Sequence, residues 1–343
     1  MRGILGFIST WDTTKAGVST SSQIALPLVS GGTYSFDVYY LGNVIKTITT
    51  FTDNVITFSD GSGVKEITCV GTFTGFQFNN GGDRLKINSI TQFGSEFNLI
   101  NGMSTFYGCS NLTSIGTDLD VSNVTNMSTM FFQATAFNSD ISSWNVSAVT
   151  TMVNMFYQAT AFNSDISLWD VSNVTSMETM FFQATAFNSD ISLWNVSNVT
   201  RMSTMFFQVT AFNSDISNWN VSNVTTFLNM FFQATAFNSD ISNWNVSNAN
   251  DMTNMFFQVT AFNSDISLWD FGAVTKLSGF MFGKTFSNYS SANYDALITR
   301  WRNNAQNNLN VNMGTIKYSS AVTADRTYLT GTKNWTIIDG GLI

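Results

Sequence analysis

A chain of 343 residues is long enough to bury the cores of two or three units, so it does not need the disulfide framework of a small secreted domain. Its net charge of −8, from 14 Lys and Arg against 22 Asp and Glu, argues against nucleic acid as a partner, because no basic stripe can neutralise phosphates. Only 10% of the residues are charged, while Asn, Ser and Thr are abundant. Such an uncharged, hydrogen-bonding surface is typical of extracellular or virion proteins.

The N-terminal segment, residues 1–8, carries one positive charge and reaches polar residues before an apolar run develops. We therefore expect no signal peptide. No stretch approaches the roughly 18 apolar residues of a membrane-spanning helix, so we expect no membrane insertion. Cys69 and Cys109 lack metal-ligand spacing and the density of a disulfide framework, and we expect two buried free thiols.

Residues 1–93 contain short β-rich runs, such as 34–40 and 55–58, separated by turns rich in Gly, Ser and Asn. This texture predicts an all-β sandwich.

The middle of the chain repeats with a strict period. Six copies of a 25-residue unit run without insertion from Asp120 to Trp269, and weaker copies flank them at 106–112 and 270–275. The unit reads D/N-V-S-N-V-T-x-M-x-x-M-F-F-Q-A-T-A-F-N-S-D-I-S-x-W. Strict spacing with degenerate ends is typical of stacked repeats with caps, and we assign residues 94–286 to this region.

Within one repeat, the spacing of Met127, Met130 and Phe131 predicts a short helical turn over 127–133. Alternation over 141–146 predicts a short strand. The expected fold is thus a leucine-rich-repeat-like solenoid, with a short parallel strand and a helical turn in each repeat. Residues 287–343, with helical patterns at 294–301 and 321–329 and a strand at 335–338, predict a small α/β cap.

The repeat resembles the bacterial surface protein 26-residue repeat, also called the DUF285 or BspA-like leucine-rich repeat family. The similarity includes the segment 76–87 before the repeats and three pieces of the cap, at 294–298, 317–321 and 335–341. Members of that family are surface proteins of bacteria, bacteriophages and other microbes, and are implicated in adhesion, not catalysis. The resemblance also implies a PKD-like N-terminal domain, although residues 39–43 replace the usual Trp-Gly-Asp-Gly turn, so the likeness is one of outline.

The sequence contains no histidine, which removes the commonest general base and the usual zinc ligand. A column of aspartates recurs once in each repeat. Its members are Asp140, Asp165, Asp190, Asp215, Asp240 and Asp265. We favour hydrogen bonds from turn N–H groups to these carboxylates, with bound calcium as the alternative and a glycosidase-like carboxylate pair as a remote third.

The recurring Gln133 predicts an amide ladder between repeats, and the Met127 and Met130 columns predict core packing.

Positions that vary while the rest of the repeat stays constant face neither core nor ladder. One such set lies on the predicted strand and is interpreted as a binding face, with three exposed leucines among amides. It consists of Ser143, Leu168, Leu193, Asn218, Asn243 and Leu268. A second set lies beside the predicted helical turn. It consists of Asn126, Thr151, Ser176, Arg201, Thr226 and Asp251. Drift at unconstrained sites and packing against a sister subunit are the alternatives for both.

The sequence thus predicts a non-catalytic adhesion, receptor-binding or display protein without cofactor, on a virion or a cell surface. A bacteriophage tail fibre or capsid appendage is favoured. A bacterial cell-surface adhesin and a purely structural fibre or decoration subunit are the alternatives. Expected partners are a host receptor or glycan, other virion or surface proteins held by the N-terminal β domain, and a second copy of the chain.

Overall fold

The structure is a computed structural model that describes residues 6–343. The first five residues of the segment tested for an export signal lie outside this range. Across the described part of the chain, no helix is long and apolar enough to cross a membrane. The chain divides into two compact units, and the division falls between Asp165 and Ile166. The three-part division into 1–93, 94–286 and 287–343 stays a prediction.

The first unit begins with eight β-strands. They are β1 Phe7–Asp12, β2 Gln23–Ala25, β3 Tyr34–Tyr40, β4 Asn43–Ile48, β5 Val55–Thr57, β6 Val64–Thr74, β7 Ile87–Gln92 and β8 Phe97–Asn98. Six of them form one sheet in the order β4-β3-β6-β1-β7, with the short β8 parallel to β6. The other neighbours in this sheet are antiparallel, and β2 and β5 form a separate two-stranded sheet. The run 34–40, which predicted a strand, coincides with β3, and the run 55–58 contains β5.

Aromatic side chains fill one face of this sheet because alternate residues of each strand point inward. The rings of Phe36 and Phe73 stack at 4.7 Å, and Phe7 meets Phe73 edge-on at 5.1 Å. Cys69 and Cys109 are buried and free, as predicted, and burial raises the pKa of both thiols.

A fully buried ion pair anchors the segment that precedes the repeats. Lys86 Nζ lies 3.5 Å from Asp83 Oδ2 and donates to the carbonyls of Ser19 and Gln23, both at 3.0 Å. Asp83 accepts from the backbone N–H of Ala25 at 2.7 Å. Because every charge is hydrogen-bonded, the pair ties residues 19–25 to the segment that resembles the family's pre-repeat piece.

The predicted leucine-rich-repeat-like solenoid was wrong. The repeats contain neither a helix nor a continuous strand, since residues 128–133 form consecutive turns and residues 142–143 form another turn. The described helices all lie near the C-terminus. They are α1 Ser291–Asn304, a 3-10 helix Ser320–Val322 and α2 Thr323–Gly331.

The hydrogen bonds of one repeat explain why the helix does not form. Met130 N–H donates to the Met127 carbonyl at 3.2 Å, which closes a turn. Phe131 N–H instead donates to Met155 in the next repeat at 2.9 Å, and Gln133 N–H donates to Tyr157 at 2.7 Å. Alternate N–H groups therefore close turns and join repeats, and a helix would need all of them for its own i to i−4 bonds.

This alternation requires a left-handed backbone at two positions in each repeat. In the first regular repeat these are Thr129 and Gln133, with φ of 58° and 57°. In the second unit the same two positions of the last, degenerate copy hold Gly279 and Gly283, with φ of 65° and 85°. The sequence pattern loses its register after Gly279, whereas the backbone pattern continues to Gly283.

Large apolar side chains fill the inside of the repeats. In the second unit, the rings of Phe206 and Phe212 stack at 3.9 Å, and the Trp219 indole N–H donates to the Ile191 carbonyl of the preceding repeat at 3.1 Å. The Met127 and Met130 columns are fully buried, which confirms core packing.

The second unit ends in an α/β region. Both predicted helices are present as α1 and α2, and Ser290 caps α1 by accepting from the Asn293 N–H at 3.1 Å. β9, Asn310–Asn312, pairs in parallel with β10, Thr336–Ile338. Met281 N–H, which in earlier repeats would bond to a following copy, donates to Asn312 at 3.1 Å. β9 thus takes the place of a next repeat.

Lys284 lies where regular repeats carry Ala or Val in the core. It is 1% exposed, its ammonium group donates to the Phe262 carbonyl, and its burial lowers the pKa of its amine to about 7. Burial disfavours the charged form of an amine, and that is the cause of the shift.

We predict that replacement of Lys86 by Met lowers the free energy of unfolding by about 3–5 kcal/mol, because Asp83 is left buried without its counter-charge. Lys15→Met is a matched control, since Lys15 and Asp12 have the same i, i+3 spacing at 3.8 Å on the surface. The control should cost at most about 1 kcal/mol. Equal losses in urea unfolding of the two variants would refute the structural role of the buried pair.

A second prediction concerns pH. Between about pH 7 and the ordinary lysine pKa of 10.5, the unfolded chain binds a proton at Lys284 that the folded chain does not. The free energy of unfolding should therefore rise with pH in that window, by up to about 1.4 kcal/mol per unit. Lys284→Met should remove this contribution. Parallel urea titrations at several pH values would contradict the prediction if the difference between the two proteins stayed constant.

Candidate binding edge of the repeats

The varying residues predicted to form a strand lie instead at the tips of tight turns. In each turn the backbone N–H of the tryptophan donates to the isoleucine carbonyl three residues earlier, as in Trp219 to Ile216 at 3.2 Å. Ser143 occupies this tip in the first unit. We define the turn edge as the five corresponding tips of the second unit, which are Leu168, Leu193, Asn218, Asn243 and Leu268.

All of these tips are exposed, as the sequence predicted. Leu168, Leu193 and Leu268 are 79%, 74% and 68% exposed. Leucines exposed to that degree contribute nothing to the core, while the flanking Ile and Trp residues are buried. Variation at the tips therefore leaves the fold unchanged.

The aspartate column holds the turns in shape. Asp215 Oδ1 accepts from Ser217 N–H at 2.9 Å, and Asp240 does the same with Ser242 at 3.0 Å. Hydrogen bonds from the Ser217 N–H and hydroxyl hold the pKa of Asp215 below its usual range, although burial and the like charge of Asp240 act to raise it. Hydrogen bonding by turn N–H groups, the favoured reading of this column, is thus confirmed for these carboxylates. Within residues 6–343, no three metal-ligating side chains group together.

A shallow groove of about 360 Å³ opens at the middle of the turn edge. Its lining includes an asparagine ladder, in which Asn238 N–H donates to Asn213 Oδ1 at 2.7 Å. The tips Asn218 and Asn243 and the carboxylates of Asp215 and Asp240 also line it. The groove therefore offers amide donors and carboxylate acceptors, which suits a ligand that carries hydroxyl groups.

The second varying set lies elsewhere. Its members join consecutive repeats through isolated parallel bridges, such as Arg201 with Thr226 and Thr226 with Asp251 in the second unit. Asp251 is largely buried and pairs with Lys276 at 3.1 Å. These residues therefore serve contacts between repeats, and their predicted position beside a helical turn was wrong.

Sequence reasoning missed a further varying column, which lies two residues after the second varying set in each repeat. It consists of Ser128 and Val153 in the first unit and Glu178, Ser203, Leu228 and Thr253 in the second. The available signal was that the residues immediately before and after the apolar Met127 position both vary between repeats.

The glutamine column forms the predicted amide ladder. Gln133 donates to Gln158 at 2.9 Å in the first unit, and Gln183, Gln208 and Gln233 each donate to the next glutamine at 2.5 Å in the second. A half-buried aromatic stack follows the same line, with Phe207 and Phe232 rings 4.5 Å apart.

Backbone bonds between copies, an invariant buried core and exposed variable tips define a tandem-repeat protein. A family model described as "Mycoplasma protein of unknown function, DUF285" matches residues 100–206 and 189–301, which together make up more than half of the chain. The chain belongs to this family. No curated protein matched, and no solved structure did.

Two contributions to stability, the ladder hydrogen bonds and the strain of a left-handed backbone, can be measured separately at Gln208, whose φ is 56°. Gln208→Ala loses both ladder bonds and keeps the left-handed strain, whereas Gln208→Gly loses the bonds but relieves the strain. The glycine variant should therefore be more stable than the alanine variant by about 1 kcal/mol. Chemical unfolding of the two proteins tests this order, and the reverse order would refute it.

Proposed function

We propose that the protein is a non-catalytic surface protein for adhesion, receptor binding or display, and that the turn edge contacts its partner. The arrangement of the second unit supports this: the constant apolar columns are buried, and the variable leucine tips are exposed without serving the core. Leu168 and Leu193 add exposed apolar area to the same turn edge that carries the amide-rich groove, a mixture typical of recognition surfaces.

The contact is made of several small patches in series, since each repeat supplies one tip. Weak contacts of this kind gain strength when several copies act together on one particle or cell. We place the protein on a virion, as a tail fibre or capsid appendage. A bacterial cell-surface adhesin is the alternative location. A host receptor or glycan is the proposed partner.

A second candidate function, a structural decoration or fibre subunit, draws on the first unit. An exposed apolar patch lies on its sheet, where Leu41 is 77% exposed beside Tyr39 and Val64. Exposed apolar area of this kind marks interaction sites in soluble proteins. Under this proposal, the patch docks the chain to other virion or surface proteins.

We predict that the double variant Leu168→Ser/Leu193→Ser binds host cells at least about tenfold more weakly, because each leucine loses its apolar transfer energy on contact. Binding of labelled protein to a panel of bacterial cells, measured by flow cytometry, provides the readout. Leu41→Ser is the matched control, because it removes an equally exposed leucine from the other unit.

The two variants distinguish the candidates. Loss of cell binding in the double variant alone supports adhesion through the turn edge, and loss of particle retention in Leu41→Ser alone supports a structural role. Unchanged cell binding of the double variant would refute adhesion through the turn edge. Failure of the purified protein to bind any cell or to inhibit attachment would refute adhesion altogether. Immunogold labelling and mass spectrometry of particles test the virion location.

A further inference from the structure

A cavity in the first unit lies apart from the turn edge. It has a volume of about 680 Å³ and opens between the segment 93–101, which carries β8, and the start of the repeats at 118–125. Pockets for small ligands usually measure roughly 300–1,000 Å³, so this one is large enough for a sugar ring and its substituents.

The walls of the cavity differ in character. Phe97 and Ile100 contribute apolar surface to the lining, while Asp118, Asp120 and Asn123 contribute polar groups. A lining that combines apolar surface with several polar groups fits a ligand that has both an apolar face and a hydroxyl-bearing edge. Pyranose sugars have this shape, since their C–H groups gather on one face.

The cavity's charge restricts the ligand further. Lys and Arg are absent from its walls, and two carboxylates repel anions. Those carboxylates are also engaged: Asp118 accepts from Phe93 and Gly94 N–H at 3.0 Å, and Asp120 Oδ1 accepts from Ser122 N–H at 2.9 Å. With only two acids, already hydrogen-bonded, the site suits neutral hydroxyl donors better than a metal cation.

The segment 93–101 is held in place before any ligand arrives. β8 pairs with β6, and the Asn98 carbonyl accepts from Gly75 N–H at 3.0 Å. The Phe97 ring stacks on Phe7 at 5.3 Å. A preformed pocket loses little conformational entropy on binding, which favours recognition of a small ligand.

We propose that this cavity binds the terminal unit of a neutral glycan, with its C–H face against Phe97 and Ile100 and its hydroxyl groups on Asn98, Asn123 and the two aspartates. The site is independent of the turn edge. The proposal therefore stands or falls separately from adhesion through the leucines.

The test uses the full chain and methyl glycosides of glucose, galactose, mannose and N-acetylglucosamine, with saturation-transfer NMR to detect weak binding. At least one neutral glycoside should receive saturation, and the corresponding uronic acids should bind more weakly because of the carboxylates. Asn98→Ala and Asn123→Ala should each weaken binding about tenfold, the loss of one hydrogen bond. Asn307→Ala, at an exposed position before β9 and outside both the cavity and the turn edge, is the matched control and should bind as the original chain does.

Three results would overturn the proposal. These are no transfer to any of the four glycosides, binding of uronic acids as strong as that of the neutral sugars, and equal weakening by Asn307→Ala. Urea unfolding of each variant distinguishes loss of the site from loss of the fold. If both pocket variants prove unstable, Ile100→Asp, which changes an exposed residue of the apolar wall, must abolish binding for the proposal to stand.

Discussion

Backbone hydrogen bonds between consecutive repeats are the constraint on which the structure of each unit depends. In the second unit, Gln208 N–H donates to Phe232 at 2.7 Å, and Asn229 N–H donates to Thr253 at 2.9 Å. These donors find their acceptors 24 residues later, so one inserted residue would misalign them. This requirement explains why the 25-residue period of the sequence has no insertions.

The same constraint explains the side-chain columns. Turns that alternate with bonds between repeats need left-handed residues, and glutamine tolerates that strain where its amide gains two ladder bonds. Carboxylates such as Asp215 stabilise the remaining turn. The constant polar residues are therefore structural, as are the buried Met and Phe columns.

The sequence allowed the core, the ladder and the exposed tips to be predicted, because burial and repetition appear directly in the pattern. It did not distinguish a helix from consecutive turns at 127–133, since both bring residues at three-four spacing to one side. The alternation at 141–146 came from a turn, which also places Ser143 outward and Trp144 inward. β9 was missed because Asn310–Asn312 is short and polar. The cavity near Phe97 was beyond sequence reasoning, because it joins a non-repeating loop to the first regular repeat.

The end of the second unit shows how the stacking of turns is stopped. Gly283 occupies the ladder position without an amide side chain, and the outward N–H of Met281 is taken by Asn312 of β9. An open end would expose the same row of donors that each repeat offers to its neighbour, and another chain could add to it. The C-terminal region therefore guards against self-templated fibre growth, a hazard that is inherent in any protein built from nearly identical stacked copies.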